Sequence, residues 1–216
     1  MIAVVDAGLG NLRSVEKALA HVGGEPIVTG DPDVVRRAER LVVPGQGAFG
    51  DCGRALGRGA PLGEAIRESI AAGRPYLGIC LGLQVLFEDS EEAPDCPGLG
   101  VYAGRVIRIP DGERERETDK LLKVPHMGWN DVRLVKDVDA APLRAVLDAG
   151  PAPFYFVHSY YALPEDASLV AAVADFGRVP LTAAIARDNV VAVQFHPEKS
   201  QRAGLALLEA FVRWRP

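Results

Sequence analysis

The stretch formed by residues 76–87 constrains the fold of this chain more than any other. It begins as the short apolar run Tyr-Leu-Gly-Ile-Cys and continues at once into the amphipathic segment Leu-Gly-Leu-Gln-Val-Leu-Phe. The pattern predicts a strand, a sharp turn and a helix, with Cys80 at the turn. Gly78 and Gly82 lie two residues to either side, where a side chain would prevent close packing of the helix on the strand. Two interpretations remain open: a nucleophile held on a strained turn, or a small buried cysteine in an ordinary turn.

Strand-like and helix-like segments alternate along the first half of the chain. Residues 2–5 and 41–43 are apolar runs typical of strands buried on both faces, and residues 12–22 repeat apolar side chains at helical spacing. This alternation predicts an α/β fold, a three-layer sandwich in which a central, mostly parallel sheet is flanked by helices. Alternating residues at 104–109 predict a small antiparallel β region in addition. A functional site is expected where the parallel strands end.

The composition is that of a globular protein, with 216 residues, 48% hydrophobic and 25% charged. We expect a single domain spanning residues 1–216. A net charge of −5 without a Lys/Arg cluster gives no reason to expect nucleic acid as a partner. The sequence shows neither a basic leader nor a membrane-spanning apolar stretch, so we expect a cytoplasmic protein that does not bind membranes.

Cofactor and metal sites have little support in the sequence. Three cysteines without paired spacing argue against both a disulfide framework and a zinc site. The glycines at positions 8 and 10 suggest a dinucleotide-binding loop, but Arg13 stands where such a loop needs its third glycine. We therefore expect no metal and no cofactor.

His196 and Glu198 are the residues best placed to activate a cysteine nucleophile. Such a nucleophile needs a base to take its proton and a third group to orient that base. The two lie two residues apart on an extended segment after an apolar strand, and Pro197 between them restricts the backbone. The remaining histidines are predicted to form structural hydrogen bonds: His21, His126 and His158.

A glycine-rich loop at residues 44–51 follows the third predicted strand. Gly45 and Gly47 flank Gln46 and allow backbone conformations that aim amide N–H groups at one point, as an oxyanion hole requires. The alternative is a plain flexible turn.

Two motifs together resemble those of the class I (triad) glutamine amidotransferases: residues 78–84 around the cysteine and residues 195–198 around the histidine. Within that family, further stretches are similar to the glutaminase subunits of imidazole glycerol phosphate synthase. They are residues 11–15, 44–50, 125–130, 156–160 and 196–200. The resemblance covers essentially the whole chain and implies a flavodoxin-like three-layer sandwich.

The resemblance implies a reaction and a role for each member of the triad. Cys80 attacks the side-chain amide of L-glutamine, His196 protonates the departing ammonia, and Glu198 orients His196. A γ-glutamyl thioester forms and is hydrolysed by water to glutamate.

The resemblance also implies the groups that surround the substrate. The N–H groups of Leu81 and Gly47 would hold the oxyanion. Gln84 and the backbone near Ser159 and Tyr160 would hold the glutamine. The alternative for Gln84 is a solvated helix residue.

A partner is implied because free ammonia in neutral water is mostly protonated and no longer nucleophilic. By resemblance, the partner is a (β/α)₈-barrel cyclase that forms a heterodimer with this chain and uses the ammonia in histidine biosynthesis. We expect its interface to include loop residues at the strand edge: Asn11, Trp129, Asn130, Tyr160 and Lys199. The alternative for Trp129 is core packing.

Two other functional hypotheses remain. One is an amidotransferase subunit that serves anthranilate, aminodeoxychorismate or GMP synthase, which the cysteine motif permits and residues 125–130 disfavour. The other is a scaffold that keeps the fold but has lost the chemistry, which the occupied triad positions disfavour.

Overall fold

The computed structural model describes residues 1–135 and 139–216. The strands are β1 (Ile2–Val5), β2 (Pro26–Thr29), β3 (Arg40–Gly45), β4 (Tyr76–Cys80), β5 (Asp89–Ser90), β6 (Gly104–Arg108), β7 (His126–Leu134), β8 (Ala152–His158), β9 (Tyr160–Pro164), β10 (Val170–Phe176), β11 (Val179–Arg187) and β12 (Val190–Val193). The α-helices are α1 (Leu12–His21), α2 (Pro32–Arg37), α3 (Phe49–Leu56), α4 (Pro61–Ala71), α5 (Leu81–Gln84), α6 (Ala141–Leu147) and α7 (Gln201–Arg213). None of these helices is long and apolar enough to cross a membrane.

A nine-stranded sheet in the order β2-β1-β3-β4-β12-β11-β10-β7-β8 forms the centre of the fold. The first five strands are mutually parallel, and the last four continue the sheet through antiparallel pairings. A separate three-stranded sheet has the order β5-β6-β9. The predicted α/β class is confirmed, and the sheet is mixed because short turns between β10 and β11 and between β11 and β12 return the chain as hairpins.

Helices cover both faces of the parallel half of the sheet. Ile2 and Val4 pack on the face that holds α1 and α7, whereas Ala3 and Val5 pack on the opposite face, with α2, α3 and α4. Successive side chains of a strand point to opposite faces, so an uninterrupted apolar run supplies both cores. This burial explains why the N-terminal strands were predictable from their apolar runs.

Three parallel strands end side by side and form the edge at which the site lies. Gly45 at the end of β3 is paired with Cys80 at the end of β4, and Val193 at the end of β12 is paired with Ile79. The loop after Gly45 and the residues after Val193 therefore both begin beside the cysteine, in the position expected for sites on parallel sheets.

Two segments differ from the prediction. The glycine-rich loop is shorter than residues 44–51, because β3 extends to Gly45 and α3 already begins at Phe49, whose side chain is fully buried. Residues 124–132 have β character in which Pro125 and Gly128 predict interruptions; β7 begins directly after Pro125 but continues through Gly128. Gly128 has a φ of 127°, a conformation that glycine adopts without the steric cost of a side chain, and it remains paired with β8.

Candidate active site

Cys80 lies on a strained turn between β4 and α5. Its φ is 56° and its ψ is −105°, a conformation that residues with a side chain rarely adopt. A Cβ on Gly78 would lie 2.4 Å from the carbonyl oxygen of Gly82, and a Cβ on Gly82 would lie 1.8 Å from that of Val43. Both glycines are thus required for close packing of α5 on the strands. The predicted strand, turn and helix are confirmed, although α5 is a single turn.

His196 and Glu198 form a buried ion pair directly after β12. The imidazole Nδ1 lies 2.8 Å from Oε1 of Glu198, and the two side chains are only 1% and 2% exposed. The backbone N–H of His196 donates to the carbonyl oxygen of Tyr155, and its own carbonyl accepts from the hydroxyl of Ser200. The imidazole is therefore held by its ring partner and by the backbone on both sides.

The surroundings of His196 favour its protonated form. Burial lowers the pKa of the imidazole, but its interactions with Cys80 and with Glu198 raise it by more, and the resulting pKa is about 9. Nε2, the ring nitrogen that does not face Glu198, is buried and has no hydrogen-bond partner among the described residues. These partners therefore favour the imidazolium form, in which the Nε2 proton is available for transfer.

A cavity of about 460 Å³ opens beside these residues. It is lined by Gln46, Gly47, Cys80, Leu81, Gln84, Glu92, Pro125, Tyr155, Val157, His158, Ser159, Tyr160, His196 and Lys199. Glu198 lies behind His196 and does not line the cavity. Nowhere in residues 1–135 and 139–216 do three or more His, Cys, Asp or Glu side chains converge as metal ligands would. The arrangement suits nucleophilic chemistry by a cysteine in a half-open pocket.

The family model of class-I glutamine amidotransferases matches residues 3–214. The chain belongs to the class I glutamine amidotransferase family. The Syntrophotalea carbinolica protein named imidazole glycerol phosphate synthase subunit HisH is 52% identical over 98% of both chains. The Geobacter sulfurreducens protein of the same name is 50% identical over 97% of both chains.

Solved structures show the same fold at low sequence identity. A chain in the structure of PurLQS from Thermotoga maritima superposes with a TM-score of 0.74 at 19% identity, over 97% of this chain and 96% of that one. A crystal structure of a glutamine amidotransferase gives a TM-score of 0.69 at 20% identity, over 97% and 98%. At these identities the likeness shows the fold alone.

Two further residues beside Cys80 or in the cavity had no sequence signal. Gln194 is fully buried and its Nε2 lies 3.5 Å from Sγ of Cys80. Glu92 lines the cavity, and its Oε2 accepts from the backbone N–H of Phe49 at 2.7 Å. Glu92 belongs to residues 88–97, an acidic and turn-rich stretch that the sequence predicts as a surface loop, and only the fold turns this one carboxylate toward the cavity.

Gln84 is buried and not a solvated helix residue. Its Nε2 donates to the carbonyl oxygen of Tyr160 and to Oε1 of Gln194, both at 3.0 Å. The carbonyl of Tyr160 also accepts from Nδ1 of His158, and the carbonyl of Ser159 accepts from the N–H of Ile109. Because these carbonyl oxygens have protein partners, the backbone here offers a substrate fewer free acceptors than the sequence suggested.

His126 and His158 form a buried hydrogen-bonded pair, as their structural interpretation predicted. Nδ1 of His126 lies 3.0 Å from Nε2 of His158, and Nε2 of His126 lies 3.1 Å from Nδ2 of Asn130. Burial lowers the pKa of His126 to about 4 and, together with the neighbouring His126, that of His158 to about 3. Both rings are therefore neutral at physiological pH.

The lowered pKa values of these two histidines predict that the folded chain loses stability in mild acid. In the unfolded chain each ring takes up a proton near its ordinary pKa of 6.5, whereas the folded chain resists this until about pH 4 or below. The stabilisation is fully present above pH 6.5 and is lost as the pH falls toward those values. We expect the unfolding free energy, measured in urea, to fall by about 4 kcal/mol between roughly pH 7 and pH 5 through this pair, which is about 2 kcal/mol for each ring.

A His158→Gln variant should show a flatter pH dependence of this unfolding free energy than the wild type. The matched control is His21→Gln, which replaces an exposed histidine at the end of α1. An equal slope in the wild type and in His158→Gln would exclude the buried pair as its source.

The residues expected at a partner interface lie in different environments. Trp129 is 48% exposed and contacts the edge of Tyr155, so the core-packing alternative is wrong. Asn11 is exposed and caps α1, and Lys199 is exposed with Nζ 6.0 Å from the ring centre of Tyr155. Asn130 points to the opposite side of β7 from Trp129, because its amide bonds to His126 and to the carbonyl of Asp175.

Proposed function

We propose that this chain is the glutaminase subunit of an imidazole glycerol phosphate synthase, and that it supplies ammonia for histidine biosynthesis. The observation that supports this most strongly is that the strained Cys80 and His196 line one cavity, with His196 held from behind by the buried Glu198. Relatives about half identical over nearly the full chain are named as subunits of that synthase.

The reaction begins with attack of Cys80 Sγ on the side-chain amide carbon of L-glutamine. The C–S bond forms as the carbonyl electron pair moves to oxygen. The C–N bond then breaks, its electron pair stays on nitrogen, and Nε2 of His196 gives that nitrogen a proton, so that ammonia leaves. The product on the protein is a γ-glutamyl thioester.

Water completes the cycle. Nε2 of His196, now neutral, takes a proton from the attacking water, and the C–S bond breaks to release glutamate and the thiolate. The carboxylate of Glu198 holds the ring in one orientation and stabilises each imidazolium stage. No redox step or further reactant is needed.

The oxyanion formed at each stage needs donors on one side of the sulfur. Leu81 follows the nucleophile directly, and Gly47 lies in the adjoining loop with a φ of 111°; both line the cavity. We assign the oxyanion contacts to the N–H groups of these two residues.

The α-ammonium group of glutamine needs a negatively charged partner, and its α-carboxylate needs a positively charged one. Among the described residues that line the cavity, Glu92 is the only carboxylate and Lys199 the only lysine or arginine. We assign the substrate ammonium group to Glu92. Gln84 and the segment at Ser159 and Tyr160 form the wall that holds the rest of the substrate.

A Glu92→Gln substitution should therefore weaken glutamine binding without removing the nucleophile. We expect KM for glutamine to rise roughly 10- to 100-fold, because one charge-assisted contact is lost, while kcat changes little. The rate at which iodoacetamide alkylates Cys80 is the control and should match the wild type. A raised KM together with slowed alkylation would instead indicate damage to the cysteine turn.

Synthesis with ammonia requires a partner that covers the site. We propose that this partner is the cyclase subunit, a (β/α)₈ barrel in a heterodimer with this chain, and that it binds the surface around the cavity mouth. Three of the residues expected at the interface are exposed and can contact a partner: Asn11, Trp129 and Lys199. Tyr160 lies in the cavity wall. Asn130 lies on the inner side of β7 and would affect the interface only through the position of that strand. We also propose that residues 1–216 act as one domain in the cytoplasm, where the three free cysteines stay reduced.

The test of this function is glutamine hydrolysis by the chain alone and with a candidate cyclase. The proposal expects weak hydrolysis alone and a marked rise when the cyclase and its nucleotide ligand are added. Activation by a chorismate-using partner or by a GMP synthase subunit, and not by the cyclase, would overturn it in favour of a sister amidotransferase.

A further inference from the structure

Gln194 lies between the nucleophile and the substrate wall, on a segment to which the mechanism assigns no role. It follows β12, its backbone N–H donates to the carbonyl of Ala183, and its side chain is fully buried. Burial of a primary amide is costly unless its hydrogen bonds are made. This amide has two partners, both of them residues of the site: Cys80 and Gln84.

A backbone carbonyl fixes the direction of these hydrogen bonds. The oxygen of Tyr160 can only accept, so the side-chain atom of Gln84 that lies 3.0 Å from it must be the amide nitrogen. That same nitrogen lies 3.0 Å from Gln194, so the atom of Gln194 that it meets must be an oxygen. The nitrogen of Gln194 is then left to face Sγ of Cys80 at 3.5 Å.

The hydrogen bonds on the other side of the Tyr160 carbonyl oxygen are consistent with this direction. The oxygen of Tyr160 also accepts from Nδ1 of His158, which leaves Nε2 of that neutral ring as an acceptor for Nδ1 of His126. Nε2 of His126 then accepts from the amide of Asn130, whose nitrogen also lies 2.8 Å from the carbonyl of Asp175. Every donor in this series of hydrogen bonds has an acceptor. Reversing any of its amides or rings would therefore leave two donors or two acceptors facing each other.

We propose that Gln194 is a positioning residue for the glutaminase reaction. Its N–H donates to the sulfur of Cys80 and its oxygen orients Gln84, so that Oε1 of Gln84 is left to accept from the substrate. A donor at the sulfur stabilises the thiolate before attack and as the leaving group of the thioester. The role of Gln194 in orienting Gln84 toward the substrate rests on the proposed function, whereas its contact with the sulfur of Cys80 does not.

The test compares Gln194→Glu with the wild-type chain. This substitution keeps an oxygen toward Gln84 and replaces the donor at Cys80 by an oxygen. We expect iodoacetamide to alkylate Cys80 about tenfold more slowly near neutral pH, and kcat for glutamine, measured with the cyclase bound, to fall roughly 10- to 100-fold. Alkylation is read on the peptide that contains Cys80, so that Cys52 and Cys96 do not contribute.

The matched control is Asn189→Asp, which makes the same amide-to-acid change at the opposite end of β12. Its amide donates to the carbonyls of Ile70 and Arg74, away from the site. We expect this variant to lower the melting temperature but to keep the alkylation rate of Cys80. A merely structural Gln194 would behave like this control, and rates within twofold of wild type in folded Gln194→Glu would overturn the proposal.

If Gln194→Glu does not fold, the contact is measured in the unsubstituted Gln194 side chain. By NMR, the side-chain amide protons of Gln194 should exchange with solvent more slowly in the wild type than in Cys80→Ala, because only the wild type offers the sulfur acceptor. Equal exchange rates would overturn the proposal. Failure of the wild type to hydrolyse glutamine with any cyclase would contradict the proposed function instead, since neither alkylation nor exchange requires glutamine.

Discussion

Replacing Cys80 with alanine is expected to abolish glutamine hydrolysis while leaving ammonia-dependent synthesis by the complex intact. The substitution removes the only atom that can form the thioester, so we expect glutaminase activity to fall by more than about 10⁴-fold. The cyclase does its own chemistry and should accept ammonia supplied at high concentration in the buffer. The measurement is the product formed by the assembled complex with glutamine and, separately, with an ammonium salt.

The control for this variant is Cys52→Ala, which removes the buried thiol of α3. Burial raises the pKa of Cys52 to about 12, so this thiol is not a nucleophile at neutral pH. Glutamine-dependent activity should survive in Cys52→Ala. Equal losses in both variants, or a loss of ammonia-dependent synthesis in Cys80→Ala, would mean that the substitutions act through folding or assembly.

Glu198→Gln has the second largest expected effect. The amide can still bond Nδ1 of His196, but it no longer offers the negative charge that helps to raise the pKa of that ring to about 9. We expect kcat/KM for glutamine to fall roughly 10²- to 10⁴-fold, because the imidazolium is less stable and the ring can adopt the wrong tautomer. The quantity to measure is kcat/KM as a function of pH.

The pH profile separates this role from a structural one. In the wild type, kcat/KM should decline as the pH rises through about 9, where His196 loses the proton that ammonia needs to leave. In Glu198→Gln the declining limb should move to lower pH. A reduced rate with an unshifted limb would indicate that Glu198 only maintains the shape of the loop.

The residues of the proposed triad could be brought to one site from the sequence because each has a local signal. Gly78 and Gly82 are spaced as a strained turn around Cys80 requires, and His196 follows an apolar strand with a carboxylate two residues later. The parallel order of β3, β4 and β12 then brings these segments together. The alternation of strands and helices predicts the pairing of β3 with β4, whereas β12 reaches its place beside β4 through the hairpins of β10, β11 and β12. Local patterns and a general rule of sheet topology were therefore sufficient for the core of the site.

The rest of the site depends on contacts between residues far apart in the sequence. Gln194 is a single amide among apolar neighbours, and nothing in its surroundings in the sequence indicates that it meets both Cys80 and Gln84. Glu92 is one acid in an acidic segment. The continuity of β7 likewise depends on its pairing with β8, which outweighs the local preference of Gly128 for a break. Tertiary pairing decides these features, and sequence patterns do not encode it locally.

The most direct test of the account is covalent labelling with a glutamine-mimicking diazoketone, followed by mass spectrometry of the whole chain and of its peptides. We expect one adduct per chain, located on Cys80, whose formation is prevented by excess L-glutamine. Labelling of Cys52 or Cys96 in its place, or labelling of Cys80 that glutamine does not slow, would contradict the assignment of this cavity as a glutamine site.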